Sequence, residues 1–210
     1  MKLNINKELK TFIEAEIIPL YETFDPAHQT NHVRTVIKES MILARQYDVN
    51  PNMVYTIAAF HDIGLKVDRE THHLVSGSIL RNSPVLLRFF TVEEIETMAQ
   101  ATEDHRASIH YEPRSIYGKI VAEADRCIDK DVIVTRAIQY GLSHYPTLNK
   151  EEHFARFLDH MKEKYSEHGY IKIWLPGSTN AHKLKEFQQY LKNDKNIRDL
   201  FNKHWKELSL

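Results

Sequence analysis

The sequence predicts an all-α fold, and three observations carry that expectation. Only 6 glycines and 7 prolines punctuate 210 residues, the apolar residues between them recur at helical rather than alternating spacing, and cap residues stand where the periodic stretches begin. Helices are expected at about 5–23, 30–47, 51–63, 69–82, 91–104, 114–129, 131–144, 150–166, 180–192 and 194–207. In the first, glutamates interrupt the apolar residues of TFIEAEIIPLYETF, which excludes a secretory core or a spanning segment there. The third starts where Asn50 precedes Pro51, and its residues from Tyr55 to Phe60 are mostly apolar, so it is a buried helix. Thr91 with Glu94 forms a capping box for the fifth, and Asn149 before Lys-Glu-Glu starts the eighth. Gly64, Gly141 and Gly169 are stops or breaks. Tyr170 to Leu175 is expected as a short extended segment before a Pro-Gly turn. The polar, charged helices that follow read as a solvated pair covering the main bundle, with a lid or a homodimer surface as the alternative.

A chain of this length, 42% hydrophobic and 27% charged, is enough for one domain with a sizeable core. We expect that domain over 1–210, with a core at about 25–145 and a C-terminal helical extension at about 146–210. Lys plus Arg (28) nearly balances Asp plus Glu (29), so no global field favours a nucleic-acid duplex or an anionic membrane as partner. Cys127 stands alone and is expected as packing on a helix, and a chain without an internal disulfide fits a cytoplasmic location.

Histidine use departs from the ordinary: of 13, eight lie before residue 145. His32 near the start of one expected helix and His61 near the end of the next flank a short connection around Tyr47–Pro51, which makes antiparallel neighbours. Measured from the turn, they lie about 22 Å and 15 Å along their helices, within about one and a half turns in height, so one ion could bridge them. Adjacent helical residues diverge by about 100°, yet at a last turn before Gly64 the imidazole of His61 and the short carboxylate of Asp62 can converge. A charge on Asp62 at the end of a buried helix is costly, and a metal would relieve that cost; the plain alternative is a buried acid capping a neighbouring helix. Asp125 interrupts an apolar stripe containing Ile120, Val121 and Ile128 and faces inward; alone it would pair with an arginine, but in this company it is the natural fourth ligand.

HVRTVIKESMILA around His32, AAFHDIG around His61-Asp62 and VAEADRCID around Asp125 resemble the signature of the HD-domain metal-dependent phosphohydrolase superfamily, over about residues 25–130. The resemblance implies a helical core of five or more helices and a divalent metal on His32, His61, Asp62 and Asp125. That metal is one of Mn, Mg, Fe, Co, Ni or Zn. HHLVSGSIL (His72, His73) and ATEDHRAS (His105) resemble later segments of small HD hydrolases that act on nucleotides, whose histidines hold a second metal or contact phosphate. His72 and His73 point about 100° apart on a helix, so one faces inward and the other solvent. The GYP segment of the cyclic-dinucleotide phosphodiesterase branch is missing, which counts against that activity.

The implied reaction is metal-assisted hydrolysis of a phosphoester or phosphoanhydride of a nucleotide or similar small phosphorylated substrate. Asp62 and His105 are expected in the catalytic centre, and Asp104, with Glu103 and Asp129 as rivals, is a candidate to orient the attacking water. Lys66, Arg69, Arg106 and Arg126 adjoin the site segments and are candidates for phosphate, with solvated surface charge as the bland alternative. Tyr165, Tyr170 and Trp174 could stack on a base, although such residues more often pack. The same scaffold also resembles sites of HD-type diiron oxygenases, and a non-catalytic metal-stabilised binding module is a third reading.

Overall fold

In the computed structural model, residues 3–25, 28–126 and 128–208 are described. Among them are ten α-helices and no strand: α1 (Lys7–Phe12), α2 (Thr30–Ala44), α3 (Pro51–Phe60), α4 (His72–Arg81), α5 (Val92–Glu103), α6 (Ile116–Asp125), α7 (Lys130–His144), α8 (Lys150–Tyr165), α9 (Thr179–Leu191) and α10 (Asp194–Leu208). The expected all-α class holds. Cys127, expected as packing, lies outside the described residues.

The chain divides into two compact units, 1–125 and 126–210. The helix α7, expected inside a core of about 25–145, is part of the second unit, where it packs on α8 and α10.

In the first unit α3 is the axis. Every residue from Met53 to Phe60 is buried, because α2, α5 and α6 all pack on it. Its start follows the expected device: the Asn50 side chain accepts from the Asn52 N–H, and Pro51 occupies a position whose N–H would be unpaired anyway. The single expected helix over 5–23 is instead three consecutive turns of different pitch. Pro19 has no N–H to give to the carbonyl four residues back, and the chain widens to a π-turn over Ile13–Ile17 and tightens to a 3₁₀ turn over Ile18–Thr23. Its apolar face, Leu9, Ile13, Ile17, Ile18 and Tyr21, is buried in the same core. The capping box at Thr91 and Glu94 is formed at the head of α5.

In the second unit the capping box of Asn149 with Glu152 opens α8, and Phe154, Phe157 and Phe201 cluster with ring centroids 5.1–6.2 Å apart. The segment expected to be extended finds no strand partner. The Tyr170 and Ile171 N–H groups return to the Glu163 and Lys164 carbonyls of α8, so it wraps a helix end. No helix among the described residues is long and apolar enough to cross a membrane.

Candidate metal centre

The end of α3 presents the central pair. His61 is its C-cap and Asp62 leaves the helix at φ −111°, ψ 4°, so the two side chains are free to converge. Tyr21, a residue that sequence reasoning missed, locks this exit. Its hydroxyl donates to the Ala59 carbonyl (3.0 Å) and accepts from the Asp62 N–H (3.2 Å). Burial and the neighbouring Asp62 charge push the Tyr21 phenol well above its ordinary pKa, so it stays a neutral hydroxyl.

The α2–α3 hairpin brings His32 Nε2 to 3.2 Å from His61 Nε2. The Asp62 Oδ2 lies 3.4 Å from His32 Nε2 and 3.2 Å from His61 Nε2, and Asp125 Oδ1, from the end of α6, lies 3.2 Å and 3.7 Å from the same two atoms. The other oxygen, Asp62 Oδ1, faces a second histidine pair, 3.3 Å from His72 Nε2 and 3.4 Å from His105 Nε2, which are themselves 3.3 Å apart. One buried carboxylate is therefore shared by two groups of ligating atoms, His32, His61 and Asp62, and Asp62, His72 and His105.

Three of the four histidines are oriented by one device. His61 Nδ1 donates to the Ala58 carbonyl (2.8 Å), His72 Nδ1 to Arg69 (2.8 Å) and His105 Nδ1 to Thr102 (2.6 Å), each three residues back. A carbonyl only accepts, so each Nδ1 carries the hydrogen, and each Nε2 turns a lone pair on its neighbours. Nitrogen and carboxylate lone pairs facing one another at 3.2–3.4 Å repel unless a cation sits among them. Atoms about 2.1 Å from one cation stand about 3.0 Å apart at right angles and about 3.4 Å apart at tetrahedral angles. The donor set and its spacings thus fit divalent metal in both groups, with imidazole and carboxylate as ligands suited to Zn, Mn, Fe, Co or Ni.

Without metal the cluster holds protons instead. Burial lowers the His32 pKa, but hydrogen bonds to Asp125 and Asp62 outweigh it and lift the group to about 9. The same opposition, burial against Asp62, leaves His105 raised. Burial pushes both carboxyls up, yet the His61 charge on Asp62 and the His32 hydrogen bond on Asp125 bring both below the usual carboxylate range. Burial and the His105 charge lower His72.

The remaining candidates divide. Of the adjacent pair, His72 enters the cluster and His73 does not; burial and the His105, His72 and Arg106 charges depress His73 to about 4. Asp104, the candidate to orient water, is fully buried, and both its oxygens accept from Arg114. Glu103 is tied to Arg81 and Arg114, and Asp129 caps α7. Lys66 and Arg69 line a cleft of about 440 Å³ with Thr23, Phe24, Asp25 and Leu65, and Arg69 Nη1 lies 3.1 Å from Asp25 Oδ2. Arg106 donates to the Glu70 carbonyl. Arg126 opens the second unit, buried, its carbonyl accepting from Asn180. Tyr165 is also in that unit, edge-on to Phe187 in its core, with Tyr170 and Trp174 half-buried.

Residues 30–128 match the family model described as the HD domain. This stretch of the chain is an HD domain. The matched stretch takes in all six of the converging positions, His32, His61, Asp62, His72, His105 and Asp125. A curated relative, the tRNA (cytidine(56)-2'-O)-methyltransferase of Picrophilus torridus, is 30% identical over 109 residues, 49% of this chain and 32% of that protein. The chain thus spans about a third of the length of the curated relative it matches. No solved structure matches the chain.

Proposed function

We propose that the HD domain is a metal-dependent phosphohydrolase that cleaves a phosphoester or phosphoanhydride of a nucleotide or similar small phosphorylated molecule. The observation that supports this reading best is the buried Asp62 carboxylate, with one oxygen toward each histidine pair. A divalent cation on His32, His61, Asp62 and Asp125 supplies a water of lowered pKa and polarises a phosphoryl oxygen. Water oxygen bonds to phosphorus, the bond to the leaving oxygen breaks, and a proton ends on the leaving group or in solvent. The chain's own part is orientation. The Nδ1–H bonds hold three imidazoles in their ligating tautomer, and Tyr21 holds the Asp62 backbone. Lys66 and Arg69, exposed in the cleft, are the groups to meet phosphoryl oxygens, Arg69 by exchanging Asp25 for the substrate. Arg106 and Arg126 are weaker candidates, since each is already buried or bonded to backbone.

The carboxylate shared by two histidine pairs also suits a diiron oxygenase acting on a small polyol or phosphonate. One set of measurements separates the readings. Protein loaded with Mn²⁺, Mg²⁺ or Fe²⁺ is assayed for phosphate and pyrophosphate release from a panel of nucleotides and simple phosphoesters, and for oxygen uptake. We expect anaerobic release of phosphate or pyrophosphate that Asp62→Ala abolishes while the helical circular dichroism persists. Turnover unchanged in Asp62→Ala would sink the assignment; two irons per chain with oxygen uptake would move it to the oxygenase, and ligand binding without turnover to a binding module.

A further inference from the structure

The second histidine pair depends on a contact outside it. His105 directly follows the C-cap of α5, Asp104, whose carboxylate is fully buried and is met by Arg114, with the Tyr111 hydroxyl as a further partner. The Arg114 backbone N–H donates to Asp104 Oδ2 (2.7 Å), Nε to Oδ1 (3.0 Å) and Oδ2 (3.2 Å), and Nη2 to Oδ1 (2.8 Å). The same Nη2 also reaches the Gln100 carbonyl (3.0 Å) and Glu103 Oε2 (2.7 Å), so the guanidinium lies along the last turn of α5. That turn supplies the Thr102 carbonyl which orients His105. From the far side Arg81 grips Glu103 and Glu96, and α6 closes over Asp104 at Gly118, where an added Cβ would stand 3.4 Å from the Asp104 Cβ.

We infer that Arg114, through Asp104, is a positioning residue for the second metal subsite, holding His105 Nε2 toward His72 and Asp62 Oδ1. The inference rests on the metal-site reading above and concerns the half of it on the Oδ1 side of Asp62. With the guanidinium gone, the buried Asp104 carboxylate keeps the residue-114 backbone N–H and the Tyr111 hydroxyl but loses the cation paired with its charge. The end of α5 then has to open to hydrate Asp104, and His105, the next residue, moves with it. The first subsite, on α2, α3 and the end of α6, makes no contact with Arg114 among the interactions described.

The test is titration of metal-free protein with Mn²⁺ by calorimetry, for the wild type, Arg114→Ala and Arg114→Lys. We expect two ions in the wild type. In Arg114→Ala the first ion should keep its affinity and the second weaken by about 10–100-fold, the usual effect of losing an outer partner of a metal ligand. Lysine keeps a charge beside Asp104 without the fork, so Arg114→Lys should fold and show a smaller loss confined to the second ion. It decides the matter if Arg114→Ala fails to fold. An unchanged second ion in the lysine variant, or an equal loss at both ions, overturns the inference. So does a wild type that binds one ion, which leaves a one-metal phosphohydrolase standing; a wild type that binds none overturns that reading as well.

Discussion

The two sides of the Asp62 carboxylate are built on different economies of charge. On the Oδ2 side two imidazoles are joined by a second acid, Asp125, whose side chain is 23% exposed, and His32 is 20% exposed. On the Oδ1 side His72 and His105 have no second acid among the described ligating atoms, but both rings are fixed by backbone carbonyls. Two carboxylates against one make the first side the stronger cation trap. Two anchored rings make the second depend more on the helix ends that carry them. The difference teaches that one HD motif can set a ligand group built on charge beside one built on framework, and on the proposed metal reading the first should hold its ion more tightly.

The largest test of that contrast removes one ligand from each side. Asp125→Ala takes a carboxylate only from the first group and His72→Ala a nitrogen only from the second. Each should reduce bound Mn²⁺ from two ions to one by metal analysis, with losses exceeding the ~10–100-fold of an outer partner. The ion retained should differ: it binds more tightly in His72→Ala, which keeps both acids. Equal affinity for the surviving ion in the two variants would remove the contrast.

A smaller effect is expected at the joint between the sides. Gly64 follows Asp62 by two residues, its N–H donates to the buried Ser76 Oγ (2.8 Å), and an added Cβ would stand 2.2 Å from the His72 carbonyl and 2.8 Å from the Ser76 nitrogen. Backbone cannot yield cheaply at such distances, so Gly64→Ala pushes α4 from the HD turn and carries His72 away from Asp62. We expect about 3 kcal/mol of lost stability in chemical denaturation. The second ion should suffer more than the first, and an unperturbed second ion would show that the joint does not govern it.

Much of this was legible in the sequence, and the physical reason separates what was from what was not. The class, the α2–α3 hairpin and the convergence of His32 with His61 follow from periodicity and rise per residue, which are local. The choice between His72 and His73 was not legible, because a helix start fixes their 100° divergence but not its phase about the helix axis. Asp104 looked available because its partner Arg114 is ten residues on, across a loop that pattern does not describe. Tyr21 carried no signal at all: only the packing of the N-terminal turns on the end of α3 makes its hydroxyl part of the centre. The end of the first unit at residue 125 was equally hidden, since α7 has the same helical pattern whichever neighbours it packs against.

The last expected effect is in pH, and it has opposite signs with and without metal. In metal-free protein His32 is raised from 6.5 to about 9 by Asp125 and Asp62 against its burial. A raised histidine contributes stability that is complete below the unfolded value near 6.5 and is lost as pH climbs through 9, about 3 kcal/mol at most. His105, also raised, has the same sign. The lowered Asp62 and Asp125 act oppositely, contributing above the ordinary carboxylate value and failing on acidification. Melting of the metal-free chain should therefore be highest between about pH 4 and 6.5 and fall toward pH 9. A cation must displace the His32 proton, so metal affinity should instead rise about tenfold per pH unit up to about 9 from this group alone. His72, lowered by burial and by His105, enters already neutral and adds no such slope. Melting temperatures of metal-free and Mn²⁺-loaded protein at pH 6.5, 7.5 and 9 should consequently diverge as pH rises. Parallel curves would mean that His32 is not the proton the metal replaces, and the Oδ2 side would lose its claim to be the charge-built half.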